Sequence, residues 1–153
     1  MDLVAGDRSA ILVAISTDDL AAFEDATRFA GHLSLGPGLD PTWLDLYSEA
    51  ARAVTGTDQP MDFLDARVEL DGPEDTVGGR TIERVDRRWV EAIARLSDHE
   101  LLSVAGHWLD LLEEELGELP REEKPWIREL AGRILGFCRD AERAPDVFFV
   151  WSL

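Results

Sequence analysis

From Ser97 to Leu116 the apolar residues recur every three or four positions. At 100° per residue Leu101, Ala105, Trp108, Leu109, Leu112 and Leu116 share one side of a helix, and Glu100, Ser103, His107, Asp110 and Glu114 share the other. Ser97 with Glu100 three residues on forms a capping box, and Leu96 with Leu101 a hydrophobic staple. The same devices stand one helix earlier. Asp86 is an N-cap that can accept an orphan backbone N–H, and Val85 and Val90 are its staple. One helix therefore ends near Leu96 and the next starts at once in a new direction, to be stopped by Gly117.

Other helices carry similar punctuation. Asp40-Pro41, with the Leu39/Leu44 staple, opens a helix whose apolar side is Leu44, Tyr47, Ala51 and Val54, and Thr55-Gly56 stops it. Pro125 begins the last one, with Trp126, Leu130, Ile134, Phe137 and Ala141 on one face. Gly132 and Gly136 inside it each cost about 1 kcal/mol of helix propensity relative to alanine, so close packing is expected there. The short apolar run Ala10–Ile15 reads as a buried strand, followed by a helix from Thr17 to Gly31 carrying Leu20, Phe23, Ala26 and Ala30. Strict alternation over Leu64–Leu70 predicts a half-buried strand, with Arg80–Val85 as its return. Val147–Trp151 is apolar on both sides and predicts a central strand beside Ala10–Ile15. The expected fold is α+β: a small mixed sheet with about five packed helices in a single layer on one face. One domain spans residues 1–153, a length that buries a core without staples.

Composition narrows the partners. Fifteen basic and 32 acidic residues give a formal charge of −17, which repels phosphate backbones and anionic membranes. No apolar run is long enough to cross a bilayer, and the first residues lack the basic and apolar regions of a signal peptide. Cys138 is the only cysteine, so no intrachain disulfide can form, and the cytoplasm is the expected location.

Two segments carry a likeness to a known family. Asp40–Gly56 (DPTWLDLYSEAARAVTG) and Gly79–Leu96 followed by Ser97-Asp98 resemble, in order and spacing, two parts of the YfbM-like family of uncharacterised bacterial proteins. The resemblance covers about the first two-thirds, contains no catalytic motif, and implies a compact α+β domain; it supplies no function. Trp126–Leu153 has no counterpart in it.

Candidate chemistry follows from the helical faces. Glu100, His107 and Asp110 stack on one side of their helix and could ligate a metal. That side lies opposite the leucines, however, and is expected to face water. His99 falls in the first turn beside acids, His32 at the expected end of the 17–31 helix, and Cys138 on the inner side of the last helix. Asp40 sets a carboxylate where the Gly36-Pro37-Gly38 turn would otherwise offer a helix end to phosphate.

The acidic run Asp110, Glu113, Glu114, Glu115, Glu118, Glu122 and Glu123 contains one cation, Arg121. Its acids sit against the negative end of a helix dipole, an unfavourable place if solubility were their only role. Together with Trp43, which is off the main stripe of its helix, they are the expected partner-binding residues. The expected function is a non-catalytic interaction protein, of the immunity or adaptor kind, that binds a basic partner. The alternative is a small hydrolase-type or metal-binding enzyme using His107 with Glu100 or Asp110. A homodimer is a third arrangement. No cofactor and no catalytic residue is assigned.

Overall fold

The computed structural model describes residues 1–39, 41–58, 62–65, 76–77 and 79–152. Its elements, in chain order, are β1 (Asp2–Gly6), α1 (Arg8–Ser16), a 3-10 helix (Leu20–Glu24), β2 (Gly31–Ser34), α2 (Pro41–Thr55), β3 (Thr76–Val77), β4 (Arg80–Arg84), α3 (Arg87–Ala94), α4 (Asp98–Leu116), α5 (Lys124–Ala141) and β5 (Asp146–Trp151). The strands form one sheet in the order β2-β1-β5-β4-β3, and every pairing is antiparallel.

The α+β class is as expected, but the sheet is antiparallel where a mixed one was expected. Helices also cover both of its faces rather than one. β5 lies in the middle with alternate side chains on each side, as its two-sided apolar sequence requires. Val147 and Phe149 join Leu3, Ala5 and Leu33 against α2–α5, while Phe148 and Val150 join Val4 and Ile82 against α1 and the 3-10 helix. Its neighbours are β1 and β4.

Residues 10–15 are helical, not a strand. Asp7 caps α1 by accepting the Ala10 N–H at 3.1 Å, and only one side of the run is buried: Ile11, Ala14 and Ile15 are inside while Val13 is 56% exposed. The strand pairing with β5 is the shorter apolar stretch before it, β1. The helix expected over 17–31 is also replaced. The chain makes the 3-10 helix, then a turn in which Asp25 accepts the N–H and hydroxyl of Thr27, and then β2. β4 forms where Arg80–Val85 was expected as a return strand. Of the expected strand at 64–70, residues 66–70 lie outside the described residues; Leu64 bridges to Val85. Asp40, the expected cap of α2, lies outside them too.

The α3–α4 corner has the expected geometry. Asp86 accepts the Arg88 N–H at 2.8 Å; Ser97 Oγ accepts the Glu100 N–H at 3.1 Å and Glu100 accepts the Ser97 N–H at 2.8 Å. Arg139 of α5 fixes the corner by donating to the Leu96 carbonyl (2.6 Å) and to Asp98 (3.0 Å). Beneath it, Tyr47 meets Trp108 edge-on at 4.9 Å, and Phe63 meets Trp89 likewise at 4.9 Å. Each buried polar tip finds a carbonyl: Tyr47 Oη at Ala131, Trp89 Nε1 at Leu44, Trp108 Nε1 at Trp43. Close packing at the glycines of α5 is not found. A Cβ at Gly132 would meet only Leu101, at an ordinary 3.7 Å, and one at Gly136 would meet nothing within 4 Å.

Candidate functional site

α4 and α5 pack together and are joined by residues 117–123, which places the acidic run at one end of a helical hairpin. Gly117, at φ 90°, takes the backbone out of α4, and its N–H bonds the Glu113 carbonyl at 3.0 Å. Glu113 is half-buried and holds the connector in place. Its carboxylate accepts the Leu119 N–H at 3.2 Å and pairs with Lys124 at 2.5 Å, and the Lys124 hydrogen bond keeps its carboxyl below the ordinary range. Glu113 is thus engaged within the connector, with its side chain about a quarter exposed. Asp110, Glu114, Glu115, Glu118, Glu122 and Glu123 are all exposed, and among the described residues none of their side chains is in an ion pair.

Two large apolar side chains stand at the same end. Leu116, in the last turn of α4, is 51% exposed, and Trp126, in the first turn of α5, is 39% exposed. Both were expected on inner faces. Each lies in a terminal turn, at the junction with the connector. Trp43, the expected surface anchor, is instead half-buried against the core, with its carbonyl engaged by Trp108. The exposed aromatic of this region is Trp126.

The polar stripe of α4 does not converge. Glu100 is bound to the Ser97 backbone, which also lowers its carboxyl, while His107, Asp110 and Glu114 are exposed. Among the described residues no group of three or more His, Cys, Asp or Glu side chains is placed to hold a metal ion. His99 is exposed as well. Cys138 is wholly buried and burial pushes its thiol well up, the reverse of what a nucleophile needs.

A cavity of about 170 Å³ opens between β4–β5 and the ends of α3 and α5. Its two arginines are already engaged: Arg84 pairs with Asp146 at 3.0 Å, and Arg87 donates to the Ala144 carbonyl at 2.7 Å. Asp65 and Glu142 complete its charged lining, so it carries both signs of charge.

One ionic cluster has no sequence signal at all. His32 is on β2, not at a helix end, and its ring lies between Glu24 of the 3-10 helix and Asp2 of β1. Glu24 is eight positions from His32, whereas Asp2 is 30 away and meets it because β1 and β2 pair, with His32 opposite Val4. No protein-family model matches the chain, and no curated protein or solved structure matches it significantly.

Proposed function

We propose that the chain is a non-catalytic interaction module, of the immunity or adaptor kind, that docks a basic partner on the connector end of the α4–α5 hairpin. The observation that carries this reading is the combination found there: six exposed carboxylates without a cation partner among the described residues, beside the exposed Leu116 and Trp126. Unpaired like charges raise the on-rate of an oppositely charged partner, and an exposed aromatic at the same end supplies the apolar anchor that charge alone lacks. Glu113 and Lys124 hold the connector, so the surface is presented in one shape rather than ordered on binding. A reading as an enzyme through His107 with Glu100 or Asp110 has no observation in its favour, since Glu100 caps its own helix and His107 stands in water. The cytoplasm is the proposed setting, in keeping with the buried free thiol of Cys138. Kinship with the YfbM-like family stays a proposal and adds no activity.

The test uses an arginine-rich amphipathic peptide as the partner mimic, titrated at about one Debye length of 10 Å, near 0.1 M salt. Replacing Glu118, Glu122 and Glu123 with Gln should weaken binding about tenfold, at roughly 0.5 kcal/mol for each exposed charge. Replacing Asp19, Asp58 and Asp62 with Asn removes as many exposed charges elsewhere and should change it little. Equal weakening by both sets would show that net charge alone acts, and would remove the site.

A further inference from the structure

His32 has a carboxylate at each ring nitrogen: Nδ1 is 2.6 Å from Glu24 Oε1 and Nε2 is 3.0 Å from Asp2 Oδ1. A neutral imidazole has one N–H and one lone pair. Between two ionised carboxylates it would donate at one end and direct its lone pair at an anion at the other. Only the imidazolium donates at both ends, in two charge-assisted bonds. Were the extra proton on Glu24 or Asp2 instead, the cluster would still hold one more than a neutral ring between two anions.

The two acids belong to different elements. Asp2 is the first residue of β1 and Glu24 the last of the 3-10 helix, whose chain continues through residues 25–30 into β2. The ring therefore joins this segment to the sheet edge. Phe23 walls it, with centroids 5.6 Å apart, and the ring is 14% exposed. The Met1 ammonium lies 3.5 Å from Asp2 and supports that carboxylate's charge. From α5, Arg133 reaches the Ser34 carbonyl and Asp140 lies beside Gly31. These two approach β2 from the side of α5, with Gly31 and Leu33, while His32 packs with Phe23 on the opposite side.

We propose that His32 is a proton-operated latch: the protonated ring clamps residues 20–30 to the β1–β2 edge, and release of that proton to solvent frees the Glu24 arm. The Asp2 hydrogen bond, then that of Glu24 and the charges of both acids, raise the pKa of His32 from its ordinary 6.5 against the opposing effect of burial. Burial pushes Asp2 up, but the His32 bond and the two neighbouring positive charges together bring it below 3.8. The latch's contribution is thus complete below pH 6.5 and lost as pH rises through the elevated value of His32. On the acid side it is lost as pH falls through the depressed value of Asp2.

The test is a nitrogen-15 titration of the imidazole rings from pH 5 to 9. Amide exchange at Arg28, Phe29 and Ala30 is measured alongside, corrected for intrinsic rates and referred to amides of α4. At pH 6 both His32 nitrogens should be protonated, and its midpoint should lie above the ordinary imidazole value and fall in Glu24→Gln. Protection at the three amides should drop about three- to fivefold across that midpoint, the scale of an exposed ion pair, since Glu24 is 76% exposed. The drop should vanish in Glu24→Gln. A neutral ring at pH 6, or protection that stays level from pH 6 to 9 in the unaltered protein, would overturn the latch without reference to any variant.

Discussion

Trp108→Ala should be among the most damaging single changes in this chain. The side chain is wholly buried, meets Tyr47 edge-on at 4.9 Å, and donates its indole N–H to the Trp43 carbonyl at 2.8 Å. Truncating a buried tryptophan costs about 3–5 kcal/mol. Alanine's better helix propensity returns only about 0.5 kcal/mol, too little to mask the loss. Trp108→Phe divides the effect, because it keeps an aromatic ring against Tyr47 but removes the donor, at about 1–2 kcal/mol. For a chain of this size each kcal/mol moves Tm by about 2–4 °C, so the alanine variant should melt about 6–20 °C lower and the phenylalanine variant about 2–8 °C lower. Urea melts followed by far-UV circular dichroism are the suitable assay, since the substitution itself alters tryptophan fluorescence. A loss below about 1 kcal/mol for Trp108→Ala with an unchanged m-value would refute the packing of α2 on α4.

Three further outcomes are expected. Gly136→Ala, in an open stretch of α5, should stabilise the protein by about 0.5–1 kcal/mol; a destabilised melt would mean that something packs there. Ser97→Ala breaks the capping box and should cost about 1 kcal/mol in the same urea assay, whereas a neutral result would detach the cap from the stability of the corner. The stability difference between the unaltered protein and His32→Gln should be largest near pH 6 and shrink as the solution is made alkaline, because the folded-state pKa of His32 is raised. A difference that grows toward pH 9 would reverse the sign of that argument.

Elements bounded by caps were the legible ones. Asp86, Ser97 with Glu100, Pro41 and Pro125 mark helix starts through local hydrogen bonding and fixed φ, and those helices begin within a residue or two of the expected places. β5 was legible because five consecutive apolar residues leave no polar face for solvent. Residues 10–15 offered the same kind of run, yet a short apolar segment suits a buried strand or a buried helix equally. The deciding signal was Asp7, placed to cap the helix. A helix over 17–31 leaves no place for β2, the strand that carries His32 between Asp2 and Glu24. That cluster depends on strand register, which periodicity alone does not convey. At the hairpin end the acids were legible as exposed, but the aromatic beside them was not. A helical wheel assigns Trp126 to the inner side and takes no account of its place in the first turn.

The most direct measurement of the proposed docking surface is an amide chemical-shift titration of the isotopically labelled protein with the arginine-rich amphipathic peptide. Shifts confined to residues 110–126, together with movement of the Trp126 indole resonance, are the predicted result. Shifts centred on another face, or none at 50 mM salt where the Debye length exceeds about 10 Å, would contradict it.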